Sequence, residues 1–267
     1  MIEVARHGRV AVLTLAEPER RNALDYARVR ELTEHLRDAD ADPGVGAVLL
    51  QANGDAFSAG GDIRQFHEEF ARSAHDFWTS GESWADLFVL VPEMRIPVVA
   101  AVDGHALGGG CGLVAVADYV LAGDRARFGQ TEIRLGLFPI VVLPALVRAV
   151  GDRYARELAM SGRIIDATEA MRIGLVHRAV PSADLPGEAL ATATALAELA
   201  PEAMALGKRL LARIADLSYR DAVELARAMR GVFLHTTDLR EGVDAFLARR
   251  PAAWHGAPSD TPTEETV

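Results

Sequence analysis

Apolar runs and amphipathic stretches alternate along the first half of the chain. Four apolar runs have the length of β-strands, at residues 10–15, 47–51, 97–102 and 119–122. Between the first two runs, the apolar residues of segment 25–38 recur at the spacing of one helical face. Because uninterrupted apolar runs are typical of strands buried on both faces, this pattern predicts an α/β fold.

The second half of the chain has helical periodicity almost throughout. We predict helices at residues 144–150, 153–160, 167–172, 185–199, 202–214, 219–230 and 238–247. The composition shifts near residues 180–200, so we expect a core domain over residues 1–195 and a helical subdomain over residues 196–255. Residues 256–267 are rich in Pro, Ser, Thr and acidic side chains, and we expect this tail to be disordered.

A long segment at residues 64–94 mixes aromatic and polar residues. The aromatic residues along it include Phe66, Phe70, Phe77, Trp84 and Phe88. The simpler interpretation is a helix that packs on the core. The alternative is that some of these aromatic side chains line a binding pocket.

Composition and charge narrow the classes of function. The 267 residues are 50% hydrophobic and 25% charged, with a formal net charge of −10, which argues against general affinity for nucleic acid or anionic membranes. No window of about 18 residues is apolar and uncharged, and the first residues contain no apolar signal region, so we expect a cytoplasmic protein. The single cysteine, Cys111, excludes an internal disulfide and a cysteine-rich metal site. Because Lys208 is the only lysine, an anionic ligand must be bound by arginines, backbone amides or helix ends.

Two glycine-rich loops each follow an apolar run. Residues 54–63 are GDAFSAGGDI, and residues 103–112 are DGHALGGGCG. Glycine lets the backbone approach a ligand closely, and a helix N-terminus adds unpaired N–H groups and the positive end of its dipole. Two such loops facing each other would supply two backbone donors to one negatively charged oxygen. Taken alone, two tight turns are the simpler interpretation, and neither spacing matches a dinucleotide or Walker-type phosphate loop.

Three motifs in these segments resemble those of the enoyl-CoA hydratase/isomerase, or crotonase, family. They are AFSAGGDI at residues 56–63, GGGC at 108–111 and FGQTE at 128–132. Further segments similar to the family are Arg21-Asn22-Ala23-Leu24, Gly174-Leu175-Val176 and residues 241–250. All six follow the family's order, so the resemblance covers about residues 8–255.

The resemblance implies a crotonase-like spiral of ββα repeats, a helical C-terminal subdomain, and a homotrimer or a hexamer made of two trimers. It implies that the amides of Gly61 and Gly109 bind the thioester oxygen, and that Glu132 is the catalytic acid/base. It also implies that CoA enters only as part of the substrate, with no permanently bound cofactor and no metal. The residues expected to contact CoA are Ala59, Asp62 and Arg64.

The sequence departs from the family's two-glutamate hydratases at one decisive position. The second glutamate belongs three residues after the middle glycine of the triplet, where this chain has Gly112. The chain therefore resembles the single-glutamate members. Residues 139–144, PIVVLP, form a bulky apolar stretch that we expect to narrow the site, exclude water and raise the pKa of Glu132. Residues 133–147 contain no Asp, Glu or His, which argues against a carboxylate nucleophile of the dehalogenase type and leaves decarboxylation open.

These features favour an enzyme that hydrates a 2-enoyl-CoA thioester through an oxyanion-stabilised enolate. The first alternative is a Δ3,Δ2-enoyl-CoA isomerase, because one carboxylate is sufficient to move a double bond. The second is a protein that binds CoA thioesters with little catalysis, because Gly112 removes one acid/base group. His105 lies near the second loop, and a turn residue is its simpler interpretation.

Overall fold

The computed structural model describes residues 1–254, apart from the side chains of residues 77 and 80–82. The tail at 256–267, predicted to be disordered, lies outside the described residues. The strands are β1 (Ile2–His7), β2 (Val10–Leu15), β3 (Ala47–Ala52), β4 (Ala56–Ser58), β5 (Val98–Val102), β6 (His105–Leu107), β7 (Tyr119–Gly123), β8 (Arg127–Gly129), β9 (Ile164–Asp166) and β10 (Arg178–Val180). The α-helices are α1 (Tyr26–Ala41), α2 (Ile63–Glu69), α3 (Ala74–Glu93), α4 (Gly109–Val116), α5 (Leu143–Ser161), α6 (Ala167–Arg172), α7 (Leu185–Ala197), α8 (Pro201–Ile214), α9 (Tyr219–Phe233) and α10 (Thr237–Leu247).

The strands form two sheets, and the chain passes between them in a repeating order. The larger sheet has the order β1-β2-β3-β5-β7-β10, and the smaller one has the order β4-β6-β8-β9. In three successive repeats, a long strand of the larger sheet is followed by a short strand of the smaller sheet and then by helical structure. The predicted α/β fold built from ββα repeats is confirmed.

The long strands are buried on both faces, as their apolar runs predicted. All residues of β2 and β5 are buried. Their side chains alternate between two cores because successive residues of a strand point to opposite faces. Leu13 packs in the larger core with the smaller sheet and helices α1, α3 and α4, whereas Val12 packs in a second core against α7.

Beside β1, the short strands β4, β6, β8, β9 and β10 were not predicted from the sequence. Strand β1 was not predicted, because only Ile2 of its six residues is buried and it has no apolar run. The two helices predicted at 144–150 and 153–160 are both present within α5, where the non-helical Gly151, with φ 75°, separates them. The segment 64–94 forms two helices, because Ser73 caps the second one and exchanges hydrogen bonds with Asp76 in a capping box.

Helices α9 and α10 each pack on α8, and α8 also contacts α3. The boundary predicted at residue 195 between core and helical subdomain stays a prediction. The Lys208 ammonium of α8 is buried, forms an ion pair with Asp118 and donates to the carbonyl of Val91. Within residues 1–254, no helix has the length and apolar character needed to cross a membrane.

Candidate active site

The two glycine-rich loops lie side by side because β4 and β6 are parallel neighbours. Gly60 has φ 88°, and a β-carbon added there would lie 2.6 Å from the Leu107 carbonyl oxygen and 2.9 Å from the Gly109 nitrogen. Any larger residue at position 60 would push the loops apart. Both the positive φ and this close approach explain why the first loop needs glycine at this point.

Asn22 holds the first loop in place through hydrogen bonds. Its buried side-chain amide donates to the carbonyls of Asn53 and Ala56, at 3.0 and 2.7 Å. The backbone carbonyl of Asn22 accepts a hydrogen bond from the Ser58 hydroxyl, and that hydroxyl accepts one from the backbone amide of Gly60. The sequence indicated Asn22 only as part of a motif and did not reveal this structural role, because the contacts join residues more than 30 positions apart.

The amides of Gly61 and Gly109 are unpaired donors. Gly109 is the first residue of α4, so its N–H has no partner within the helix. Neither amide donates a hydrogen bond to any group in the described part of the chain. Both residues are half-buried. Two donors on adjoining loops, one of them at the positive end of a helix, are suited to binding an oxygen that carries negative charge.

Glu132 lies beside this pair of loops. Strand β8 pairs with β6, and the Gly108 amide donates to the carbonyl of Gly129 at 2.9 Å, which fixes the chain just before Glu132. A β-carbon at Gly108 would be 3.0 Å from Oε1 of Glu132. The sequence predicted this proximity of Glu132 to the glycine triplet only through the family resemblance.

The carboxyl group of Glu132 is held in a desolvated environment. Its Oε2 atom is buried and has no hydrogen-bond partner among the described residues. Burial raises the pKa of Glu132, and its own backbone amide opposes the shift only in part. The sequence analysis expected the pKa of Glu132 to be raised, and the structure gives the same direction. A carboxyl group with a raised pKa is suited to exchanging protons near neutral pH.

Aromatic side chains of α3 cover the first turn of α4. A β-carbon at Gly109 would lie 2.5 Å from Cη2 of Trp84, and one at Gly112 would lie 2.6 Å from Cζ of Phe88. The two rings contact each other, with centroids 5.6 Å apart. The segment's aromatic residues therefore include two that pack against α4.

The other aromatic residues named in this segment have different environments. The ring of Phe66 lies 3.2 Å from the position of a β-carbon at Gly61, next to the proposed donor. Phe70 is 82% exposed, so it forms no wall in this structure. The side chain of Phe77 lies outside the described residues. Phe88 lies in the larger core and Trp84 packs against it, as the simpler interpretation predicted. That some of these aromatic side chains line a binding pocket stays a prediction.

The apolar stretch 139–144 contributes to the same wall at one position. Val142 is buried, and its Cγ1 atom lies 3.1 Å from the position of a β-carbon at Gly112. Ile140 and Val141 are 69% and 42% exposed. Val142 and Phe88 therefore narrow the space next to Gly112, whereas Ile140 and Val141 face outward.

The three residues expected to contact CoA lie at the start of α2 or just before it. Asp62 caps this helix by accepting from the Arg64 amide at 2.9 Å, and it forms an ion pair with Arg20. Burial opposes ionisation of Asp62, but the Arg64 amide and the Arg20 guanidinium outweigh it and lower the pKa. Ala59 is half-buried, with its amide bound to the Arg21 carbonyl. The exposed guanidinium of Arg64 forms no ion pair with any described residue.

Two further residues close to the glycine triplet in sequence are Cys111 and His105. Cys111 is fully buried, and burial, followed by the charge of Glu132, raises the pKa of its thiol to about 12. The thiol is therefore protonated at neutral pH and is no nucleophile. His105 is exposed on β6. Among the described residues, no group of three or more His, Cys, Asp or Glu side chains could hold a metal ion.

Comparison with known protein families shows to which family the chain belongs. The family described as enoyl-CoA hydratase/isomerase matches residues 5–257. The chain belongs to this family. A Thermus thermophilus protein with a provisional enoyl-CoA hydratase name is 40% identical over 255 residues, which cover 94% of this chain and 99% of that protein.

Of two other similar proteins, one has a name that specifies the acyl group and the other has a known crystal structure. The 2,3-dehydroadipyl-CoA hydratase of Escherichia coli is 35% identical, with 95% of this chain and 98% of that protein covered. The crystal structure of an enoyl-CoA hydratase from Mycobacterium smegmatis superposes with a TM-score of 0.90 at 32% identity. That superposition covers 95% of this chain and 98% of the other. The crotonase-like fold implied by the motifs is thus confirmed.

Proposed function

We propose that this family member hydrates a 2-enoyl-CoA thioester, with Glu132 as acid/base and the amides of Gly61 and Gly109 as oxyanion donors. The observation that carries the proposal is the position of Glu132. Its carboxyl group lies against the glycine triplet, is largely desolvated and keeps one oxygen without a partner. A proton-transfer group and two unpaired amide donors therefore adjoin one another at the surface where the two loops meet.

One carboxylate is sufficient for the whole reaction. Ionised Glu132 takes a proton from water while the water oxygen forms a bond to C3 of the enoyl chain. The π electrons of the C2–C3 bond shift toward the thioester, and the resulting enolate oxygen accepts hydrogen bonds from Gly61 and Gly109. Glu132 then returns the proton to C2, so only water is consumed. Each amide donor is expected to contribute a few kcal/mol, about 2.7–4, to stabilising the enolate-like transition state.

The names of the relatives support hydration over other reactions of the family. The T. thermophilus and E. coli proteins are both named hydratases. The E. coli name specifies a dicarboxylic acyl group, whereas the T. thermophilus name specifies none. The proposal therefore stays at the level of a 2-enoyl-CoA substrate.

The CoA part of the substrate is proposed to lie along the first loop. Ala59 lines this path, and Arg64 supplies a cation with no competing ion pair among the described residues. Asp62 takes part by fixing Arg20 and the N-terminus of α2, since both of its oxygen atoms are occupied. Guanidinium groups suit phosphates because they present several N–H donors in a fixed plane.

Movement of a double bond from C3 to C2 is the second candidate function. The observation that favours it is the apolar filling at Gly112, where Phe88 and Val142 leave no space for a second acid/base side chain. An isomerase needs a proton carrier but no water. Glu132 would remove a proton from C2 and return one to C4.

A panel of acyl-CoA substrates followed by mass spectrometry tests the proposal. Hydration predicts that a 2-enoyl-CoA gains the mass of one water. Isomerisation predicts that a 3-enoyl-CoA changes its ultraviolet absorption with no change in mass. Binding without turnover across the panel would contradict both and would indicate a CoA-thioester-binding protein.

The proposed assembly is a homotrimer or a hexamer. The support is apolar side chains on the C-terminal helices that no described residue covers: Tyr219, Phe246 and Leu247 are 87%, 82% and 74% exposed. Such side chains are typical of surfaces that bind a partner. Light scattering after size-exclusion chromatography should give three or six times the chain mass, and a monomer would contradict this part of the proposal.

A further inference from the structure

The peptide groups on the two sides of Gly61 are both hydrogen-bonded to one residue, Leu24. The Leu24 amide donates to the carbonyl of Gly60 at 2.8 Å, and the Asp62 amide donates to the carbonyl of Leu24 at 3.2 Å. The carbonyl of Gly60 and the amide of Gly61 belong to one planar trans peptide group, so they point in opposite directions. Because that carbonyl points at Leu24, the proposed donor at Gly61 points away from Leu24.

The direction of the Gly61 amide depends on what holds its two neighbours. A glycine has no β-carbon, so its own φ and ψ angles are restricted less than those of any other residue. An oxyanion donor is effective when its direction is fixed before the reaction begins. A group that holds Gly60 or Asp62 in place therefore also acts on the donor between them.

The side chain of Asp62 is held on two sides. Its Oδ1 atom accepts from the Arg64 amide at 2.9 Å and caps α2, and its Oδ2 atom accepts from the Arg20 guanidinium. The side chains of Arg20 and Asp62 are 29% and 14% exposed. Because both are partly buried, salt screens this ion pair less than it screens a surface pair. The Arg64 amide belongs to α2 itself, whereas Arg20 connects Asp62 to a different part of the chain.

Arg20 belongs to the same turn as Leu24. The amides of Arg20 and Asn22 both donate to the carbonyl of Glu17. The Arg20 guanidinium also pairs with the carboxylates of Glu17 at 3.2 Å and of Asp25 at 3.6 Å. These bonds hold the turn together. The turn therefore reaches the first loop through the backbone of Leu24 and through the guanidinium of Arg20, and both contacts adjoin the same donor.

We propose that Arg20 is a positioning residue for the Gly61 amide, which it holds toward the thioester oxygen through its ion pair with Asp62. Without this ion pair, Asp62 keeps its bond to α2 but loses its side-chain link to the turn. The peptide groups next to Gly61 then vary more in direction, and the enolate oxygen is bound less tightly. The inference rests on the proposed function, in which the Gly61 amide is an oxyanion donor.

The first measurement uses acetoacetyl-CoA, because its enolate absorbs ultraviolet light and carries the same charge as the enolate of hydration. Oxyanion donors that bind the enolate raise the fraction of bound acetoacetyl-CoA that is ionised at a given pH. At a pH where little enolate forms, this fraction should be about 10-fold lower in Arg20→Met, the loss expected when one hydrogen bond to a charged group is weakened. An absorbance that follows the wild-type curve against pH overturns the proposal.

The second measurement is turnover of the enoyl-CoA substrate found by mass spectrometry. We expect Arg20→Met to lower kcat about 10- to 100-fold, the scale of a displacement of about 1 Å in a catalytic site, with KM changed little. Arg20→Lys keeps the positive charge and should recover part of the loss. A raised KM with an unchanged kcat overturns the proposal, because it indicates that Arg20 contributes to substrate binding alone.

Arg28→Met is the matched control. The Arg28 side chain is also 29% exposed and also pairs with Glu17, at 2.5 Å, but its other partner is Glu31 at 3.9 Å. The enolate absorbance and kcat of Arg28→Met should therefore stay at wild-type values. Equal losses in Arg20→Met and Arg28→Met would assign the effect to Glu17 and overturn the proposal. If Arg20→Met does not fold, Arg20→Gln replaces it, because glutamine removes the same charge and keeps a polar side chain.

Acetoacetyl-CoA also separates this inference from the proposed function. If the wild-type protein stabilises the enolate but hydrates no 2-enoyl-CoA, hydration is wrong, and a weaker enolate signal in Arg20→Met still supports the role of Arg20. If the wild type hydrates its substrate and Arg20→Met matches it in both measurements, only this inference is overturned. A wild-type protein that binds acetoacetyl-CoA without stabilising its enolate would overturn both.

Discussion

Phe88 occupies the space next to Gly112: a β-carbon at Gly112 would be 2.6 Å from Cζ of the ring and 3.1 Å from Cγ1 of Val142. By the resemblance of the motifs, position 112 corresponds to the second carboxylate of the family's two-glutamate members. The loss of that glutamate is thus accompanied by an aromatic ring from α3 that fills its place. A substitution at 112 alone cannot restore a two-carboxylate site.

Gly112→Glu should therefore destabilise the protein and bring no gain in turnover. Overpacking of a buried site typically costs about 1–3 kcal/mol, and burying a carboxylate without a partner adds to this. The cost should be smaller in a Phe88→Ala background, where the ring is absent. A double-mutant cycle by denaturant unfolding measures this coupling, and strictly additive effects would contradict the contact.

The oxyanion role of Gly109 can be separated from its contact with Trp84. Alanine and proline at 109 both introduce a β-carbon 2.5 Å from Cη2 of Trp84, but only proline removes the amide donor. Proline is tolerated at the first position of a helix. Relative to Gly109→Ala, we expect Gly109→Pro to lose about 10²–10³ in kcat. Equal turnover in the two folded variants would show that the amide is not a donor to the reacting oxygen.

We expect Lys208 to be important for stability, although it is far in sequence from Gly109 and Glu132 of the candidate site. Its ammonium is buried and paired with Asp118. Lys208→Met leaves that carboxylate without its cation, and losing one partner of a buried pair typically costs about 3–5 kcal/mol. Arg227→Met removes a partner from the exposed Arg227–Glu224 pair and is the matched control, with an expected change of about 0.5 kcal/mol or less. Unfolding midpoints in urea measure both, and similar losses would contradict this account.

Patterns that are local in sequence predicted much of the fold. The helix expected at 167–172 has those bounds in the structure, and the run at 10–15 is a strand with the same ends. Burial on both faces follows directly from continuous apolar runs. The short strands β4, β6 and β8 were not predicted because three residues beside glycines carry no periodic signal.

The contacts that shape the site were less predictable. Glu132 and the glycine loops were found through motifs, and their proximity follows from the pairing of β6 with β8. The contact of Phe88 with Gly112 joins two helices, and the sequence showed only that an aromatic residue and a glycine were present. The hydrogen bonds of Asn22 to the first loop join residues far apart in sequence, and a motif does not encode them.

The raised pKa of Glu132 predicts how stability depends on pH. Burial favours the protonated carboxyl group in the folded state, so the folded protein binds this proton more tightly than the unfolded chain does. The contribution to stability is present below the ordinary carboxyl pKa and is lost as the pH rises through the raised value. Glu132→Gln should therefore be more stable than wild type at pH 8, and this difference should shrink at acidic pH. A difference that grows as the pH falls would contradict the desolvation of Glu132.

The central claim, that Glu132 carries the proton, is tested most directly by the turnover of Glu132→Gln. Glutamine keeps the size of the side chain and removes its ability to transfer a proton. We predict a loss in kcat of at least about 10²–10⁴-fold, because glycine stands at position 112 in place of a second carboxylate. Affinity for the acyl-CoA, measured by calorimetry, should change little because the proposed role of Glu132 is proton transfer at the acyl carbons and not binding of the CoA nucleotide. A folded Glu132→Gln enzyme with near-wild-type turnover would contradict the mechanism while leaving the fold and the family unchanged.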